Sequence, residues 1–192
     1  MKSKLLIIVF ITLSVLQTIT AQSSVWKVES ENYHLYIGGT IHVLRDIDYP
    51  LPIEFEKAFK YADKLVFETD IDGMSNPETM KEMIKKFSYS DGRTLKSDLS
   101  EKAYNELVKE AEKQNIPIKK MGNFKPSMVL LALMLQGLKE IGVKEDGVDK
   151  YYNEQSKLLE NKQTGFLESI DFQINLITSI GEGKASEYVL SS

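Results

Sequence analysis

The feature that most constrains the fold is a short apolar run, Leu65-Val66-Phe67, which lies between a helical pattern and the acidic residues Glu68-Thr69-Asp70. Apolar side chains recur at helical spacing between residues 55 and 62, and residues 25–43 alternate as two extended segments around a polar turn. This order predicts an α/β fold, in which an N-terminal β-hairpin leads into a partly parallel sheet flanked by helices. We expect a parallel crossover from the second hairpin strand to Leu65–Phe67.

Further helices are predicted from capping residues and apolar faces. Ser75 or Asn76 caps a helix that reaches Phe87, and another begins at Ser100. The helix opened by Pro126 has only apolar residues or alanine from Met128 to Leu135, a pattern that predicts burial on every side. Later helices are expected after Gly147 and around Ile174, with a strand at residues 165–168 between them.

The first 21 residues have the pattern of a secretory signal peptide. Two lysines precede an apolar run and Thr20-Ala21, and the segment has no acidic residue. The apolar run is too short for a confident membrane span, so we expect removal of the signal and a secreted or periplasmic protein without a stable membrane span. The predicted mature domain is residues 22–192.

Charge and cysteine content exclude several kinds of site. Removing Lys2 and Lys4 from the 24 basic residues leaves 22 against 28 acidic ones, a formal charge of −6. That balance argues against nucleic acid as a partner. The sequence has no cysteine, which excludes disulfides, thiolate metal sites and a cysteine nucleophile.

The two histidines limit any transition-metal site to two nitrogen ligands. His34 lies within a predicted strand and is expected to be a structural residue. His42 follows Gly38 and Gly39, whose missing side chains could let the chain approach a ligand or cofactor closely. The residue types alone leave two interpretations of His42 open. Its imidazole faces a ligand at the C-terminal end of a strand, or it is a loop histidine hydrogen-bonded to a backbone carbonyl.

Glu68 occupies the equivalent place at the end of the next strand. If the two strands are neighbours, His42 and Glu68 open onto the same edge, where they could bind a divalent metal or act as an acid–base pair. The alternative for Glu68-Thr69-Asp70 is a solvated strand end followed by a helix cap. Asp149 is expected to be an acidic residue in the first turn of a helix. Glu168, like Glu68, lies at the end of a short apolar strand.

Common catalytic motifs are absent from the sequence. There is no Gly-x-Ser-x-Gly elbow for serine hydrolysis and no glycine loop for phosphate binding. The acidic residues near Asp70 do not have EF-hand spacing.

Several segments nevertheless resemble one family in order and spacing. They are Trp26-Lys27-Val28, residues 36–43 (Tyr-Ile-Gly-Gly-Thr-Ile-His-Val), residues 49–52 (Tyr-Pro-Leu-Pro), residues 62–70, residues 147–152, and Gly165-Phe166-Leu167-Glu168 with Gln173. This set is similar to the TraB/GumN family, which is related to the Tiki metalloproteases.

The resemblance implies an α/β fold and, as in Tiki proteins, a divalent-metal-dependent peptidase with two Gly-x-x-His motifs and an acidic residue. Gly39-Thr40-Ile41-His42 corresponds to the first motif, so His42 and Glu68 are the expected catalytic residues and metal ligands. The expected metal is divalent, such as manganese or cobalt, and the expected partner is a peptide substrate. Asp149 and Glu168 match further motif positions without an assigned role.

The sequence departs from the family at its C-terminal end. It contains no second Gly-x-x-His motif, so we expect a truncated domain with half of the metal site missing and an unpaired strand edge. Two rival hypotheses follow. The chain is a binding module for a peptide or other ligand without turnover, or it is the product of an interrupted gene.

Overall fold

The computed structural model describes residues 23–144 and 146–191. The expected signal peptide lies outside these described residues. The described residues belong to two compact units, one ending at Gly39 and the other beginning at Thr40. Together they confirm the mixed α/β class: a two-stranded hairpin, a two-stranded parallel sheet and nine α-helices over the described part of the chain.

The first unit is the predicted hairpin. Strand β1 (Val25–Glu29) pairs antiparallel with β2 (His34–Gly38), and Trp26 faces Ile37 across the pair. The turn is closed by a hydrogen bond of 2.8 Å from the amide of Ser30 to the carbonyl of Tyr33.

The second unit contains the parallel sheet. Helix α1 (Ile53–Tyr61) leads to β3 (Lys64–Phe67), which pairs in parallel with β4 (Gln163–Phe166). The expected crossover pairing of β3 with the second hairpin strand is therefore wrong. A four-residue apolar strand carries no local signal of its partner, and its real partner lies about a hundred residues later in the chain.

The remaining helices lie between and after the two strands of this sheet. They are α2 (Ile71–Met74), α3 (Pro77–Phe87), α4 (Leu95–Asp98), α5 (Glu101–Lys113), α6 (Pro126–Glu140), α7 (Val148–Lys157), α8 (Ile170–Ser179) and α9 (Ala185–Ser191). The predicted caps are confirmed, because the side chains of Asn76 and Ser100 accept hydrogen bonds from the first turns of α3 and α5. A 3-10 turn spans Ile118–Met121, and α9 was not predicted.

The main apolar core of the second unit is helical. Leu95, Leu107 and Ile118 are buried together with Val129 and Leu133 of α6. Helix α6 is not buried on every side as its composition predicts, since the side chain of Met134 is 56% exposed. In the described part of the chain, no helix combines the length and apolar character that a bilayer crossing requires.

Candidate functional site

The segment that carries His42 is held against the start of α7. The amide of Val148 donates a 2.9 Å hydrogen bond to the carbonyl of Ile41, and Leu44 forms an isolated antiparallel bridge with Lys144. A Cβ atom on Gly147 would lie 2.2 Å from the carbonyl carbon of His42. Glycine is therefore required at position 147 for the two backbones to approach this closely.

This contact places the carboxylate of Asp149 beside the imidazole of His42. Asp149 Oδ2 lies 3.2 Å from His42 Nδ1, and Thr40 Oγ1 donates a 3.1 Å hydrogen bond to Asp149 Oδ1. Asp149 is only 8% exposed, and no donor among the described residues is aligned for a hydrogen bond to its Oδ2. The imidazole of His42 thus lies within ion-pair distance of this buried oxygen, which orients the Nδ1 side of the ring toward Asp149.

The other imidazole nitrogen faces the carboxylate of Glu68, which directly follows β3. His42 Nε2 lies 3.5 Å from Glu68 Oε2, and the two side chains are 68% and 49% exposed. This separation is longer than a good hydrogen bond and leaves both atoms free to contact a third group. His42 thus has one nitrogen directed at a buried acid and one at an open, acidic face.

Gln173 holds Glu68 in place and connects it to Glu168. The side-chain amide of Gln173 donates a 2.7 Å hydrogen bond to Glu68 Oε1 and a second, short hydrogen bond to Glu168 Oε2. Gln173 itself is buried in the first half of α8. Because an amide NH₂ group has two hydrogens, one side chain satisfies both carboxylates.

Parallel pairing explains why the two glutamates meet. Phe67 is in register with Phe166, and the amide of Glu168 donates to the carbonyl of Glu68 at 2.9 Å just beyond the last pair. The two glutamates therefore leave the same end of the sheet side by side. The structure brings His42, Glu68, Asp149, Glu168 and Gln173 together, although residues 42 and 173 are far apart in the chain.

A second set of contacts fixes α7, which carries Asp149, to the helix that follows Glu68. Lys157 Nζ donates to Asp72 Oδ1 at 2.8 Å, and Asn153 Nδ2 donates to Asp72 Oδ2 at 3.3 Å. The hydrogen bond from Lys157 lowers the pKa of Asp72, against the opposing effect of partial burial. These contacts couple the position of α7 to that of α2.

Other sequence-predicted residues have different places. Asp70 accepts a 2.9 Å hydrogen bond from the amide of Gly73 and caps α2, as the helix-cap alternative expects. His34 lies on the hairpin, edge to face with Tyr36. Gly38 and Gly39 lie at the end of the hairpin, and neither has a positive φ angle. The amide of Gly39 donates a hydrogen bond to the carbonyl of Ser24. Their role in cofactor binding stays a prediction.

The contacts of Thr40 and Gln173 were not predicted from the sequence. Thr40 precedes His42 by two residues, and an extended segment places such side chains on the same face. That spacing could have indicated a polar companion for the imidazole. Gln173 belongs to one of the segments that resemble the family, but its position in a helix after a strand does not indicate that its side chain faces Glu68.

The described residues do not fit a resident catalytic metal by themselves. Nitrogen and oxygen ligands about 2.1 Å from a tetrahedral metal lie about 3.4 Å apart, so His42 Nε2 and Glu68 Oε2 are suitably spaced as two ligands. Catalytic zinc sites use three protein ligands. Within residues 23–144 and 146–191, no group of three or more histidine or acidic side chains is arranged to hold a metal ion.

Comparison with family models gives a match over nearly the whole chain. The model of a family described as the TraB/PrgY/gumN family matches residues 24–192. No curated protein and no solved structure matches the chain significantly.

Proposed function

Because the chain belongs to the TraB/PrgY/gumN family, we propose that it is a hydrolase acting on peptides, with His42 and Glu68 as its catalytic residues. The resemblance to Tiki metalloproteases supports the peptide substrate. One observation carries the assignment of the centre: His42 lies between the buried carboxylate of Asp149 and the exposed carboxylate of Glu68.

The proposed chemistry follows from the two sides of the imidazole. His42 Nε2 takes a proton from a water molecule as the water oxygen attacks the peptide carbonyl carbon. Asp149 stabilises the imidazolium that results, and Glu68 orients the water by accepting its other hydrogen. The imidazolium then returns the proton to the leaving nitrogen as the carbon–nitrogen bond breaks.

Two features of the site are consistent with a catalytic role for this histidine. Thr40 donates a hydrogen bond to Asp149, and Asp149 lies on the Nδ1 side of His42, where its carboxylate is already in place when the imidazole becomes charged. The Nε2 side is open enough for a peptide to approach, since His42 and Glu68 are both exposed.

We also propose that the protein acts outside the cytoplasm, in a secreted or periplasmic form. The support is the sequence of residues 1–21, in which two lysines precede an apolar run that ends near Thr20-Ala21.

A second candidate is binding of a peptide or other ligand without turnover. The observation that favours it over metal-dependent hydrolysis is the two-ligand limit at His42 and Glu68, because a centre with fewer than three protein ligands would hold a metal weakly. In this case the carboxylates of the site would recognise a basic group on the ligand.

The experiment that separates these functions is a peptide-digestion assay with the purified protein. A peptide mixture is incubated with the wild type, His42→Ala and His34→Ala, each with EDTA, manganese or cobalt, and products are identified by mass spectrometry. We expect cleavage by the wild type and by His34→Ala and none by His42→Ala. Cleavage in EDTA would assign the chemistry to the side chains, and cleavage only with an added ion would assign it to a metal.

Two outcomes would oppose the proposal. Turnover that survives His42→Ala would place the chemistry elsewhere. Peptides that bind in titration calorimetry but are never cleaved would favour the binding function.

A further inference from the structure

A cavity of about 810 Å³ lies among α5, α6, α8 and α9, and none of its lining residues belongs to the His42 site. This volume is within the range of about 300–1,000 Å³ that is typical of small-molecule sites. The proposed hydrolysis makes no use of this cavity.

The cavity is a trough with an apolar floor. Leu107, Leu133 and Val189 line it and are almost fully buried, whereas Met134 and Leu190 line it and remain partly exposed. An apolar ligand lying in the trough would remove the exposed parts of these side chains from water, which is favourable.

The trough is elongated along α5. Lys102, in the first turn of the helix, and Gln114, immediately after its end, both line the cavity. At a rise of 1.5 Å per residue their backbones are about 18 Å apart. A long, narrow apolar ligand suits this shape better than a compact one.

The charged residues on the rim differ in whether they have an ion-pair partner. Glu106 and Glu110 line the cavity and form ion pairs with Lys109 and Lys113 respectively. Lys102 also lines the cavity, and no carboxylate in the described part of the chain forms an ion pair with it. One end of the trough therefore presents a cation that a ligand can neutralise.

We propose that this cavity binds a long-chain carboxylate amphiphile, with its acyl chain along the apolar floor and its carboxylate at Lys102. The unpaired ammonium favours an anionic head group over a neutral or cationic one. The flexible lysine stem allows the charge to remain near solvent while its methylenes cover the apolar chain.

The test is titration calorimetry of the purified protein with two probes of equal chain length, dodecanoate and dodecyltrimethylammonium, each below its micelle concentration. The variants are Lys102→Gln and Met134→Trp, which fills the trough from its exposed wall. Their matched controls are Lys81→Gln and Met80→Trp on α3, neither of which lines the cavity. Circular dichroism and thermal unfolding establish that each variant is folded.

We expect one dodecanoate per chain, bound at least about tenfold more tightly than the cationic probe. Lys102→Gln should weaken dodecanoate binding by about fivefold and leave the cationic probe unchanged or improved. Met134→Trp should weaken the binding of both probes, and the two controls should bind like the wild type.

Three outcomes would overturn the proposal. The first is no binding of dodecanoate, and the second is equal affinity for the two probes, which would remove the role of Lys102. The third is unchanged dodecanoate binding in folded Met134→Trp, which would place the ligand outside the trough. Because none of these variants touches His42 or Glu68, each result is independent of the peptide-digestion assay.

Discussion

The carboxylate of Asp149 lies 3.2 Å from the Nδ1 atom of His42 and is almost completely buried. This contact gives the exposed imidazole an acidic neighbour on its Nδ1 side. It also suggests a task for Asp149, to which the sequence assigned no role. The carboxylate can orient the imidazole of His42.

Replacing Asp149 with asparagine tests that task. The variant keeps an oxygen for Thr40 but loses the charge that stabilises protonated His42. We expect kcat/KM for peptide hydrolysis to fall by about 10- to 100-fold, as when the carboxylate partner of a metal-ligating histidine is lost. The control is Asp171→Asn, which removes an exposed carboxylate on α8. Equal activity of the two variants would contradict an orienting role.

Gly147 is predicted to tolerate no side chain. In Gly147→Ala the new methyl group would lie 2.2 Å from backbone atoms of Ile41 and His42, so the segment must move away from α7. We expect a loss of about 2–4 kcal/mol in the free energy of unfolding, together with loss of peptide hydrolysis. Denaturant unfolding and the digestion assay measure these two effects.

The matched control for that variant is Gly137→Ala. Gly137 lies within α6, where a Cβ atom would meet nothing within 4 Å. Alanine should stabilise the protein there by about 0.5–1 kcal/mol, because it is the better helix former. Similar effects of both substitutions would show that close backbone packing at Gly147 is not important.

Gln173 is predicted to stabilise the carboxylate pair. Gln173→Leu leaves Glu68 and Glu168 close together without their shared donor, and we expect a loss of about 1–3 kcal/mol in unfolding free energy. Gln173→Glu should cost more, because it adds a third negative charge. Gln163→Leu at an exposed position of β4 is the control, with an expected change within about 0.5 kcal/mol. A stable Gln173→Glu protein would argue against the amide bridge.

The fold and the site were predictable to different degrees. Local signals were sufficient for the hairpin and for helices with clear caps, such as those begun by Asn76 and Ser100. The pairing of β3 with β4 was not predictable, because both strands are four residues long and the helices from α2 to α7 lie between them. The hydrophobic periodicity of a segment indicates whether it is a helix or a strand, but it does not identify the strand with which it pairs.

The side chains of His42 and Glu68 lie close together, as predicted, but the structural basis that was predicted for this is wrong. From the sequence, both residues are predicted to lie at the ends of neighbouring parallel strands. In the structure His42 lies outside any strand and is positioned by the contact of Ile41 with Val148 at the start of α7. The network through Gln173 depends on side-chain geometry across distant elements, which residue order does not reveal.

Tyr89 should give the protein a distinct response to alkaline pH. Burial, followed by the hydrogen bond that its hydroxyl donates to Asp98, raises the pKa of Tyr89 above its usual value near 10. The folded state therefore holds this proton more tightly than the unfolded state. Its stabilising contribution is complete below about pH 10 and is lost as the pH rises through the folded-state pKa.

Tyr89→Phe tests this dependence. At pH 7 the variant should be less stable than the wild type by about 1 kcal/mol, because it lacks the hydrogen bond. The difference should shrink as the pH rises above about 10. Urea unfolding between pH 7 and pH 11 measures it, with Tyr33→Phe at an exposed hairpin position as the control. A difference that stays constant up to pH 11 would contradict the assignment.

The most direct test of the proposed centre is a double-mutant cycle on peptide hydrolysis with His42→Ala, Glu68→Gln and the double variant. If both residues serve one reaction step, each single substitution should lower kcat/KM by at least about 100-fold, and the double variant should be little worse than either one. Losses that multiply in the double variant, or a His42→Ala protein that retains wild-type activity, would contradict a joint catalytic role for His42 and Glu68.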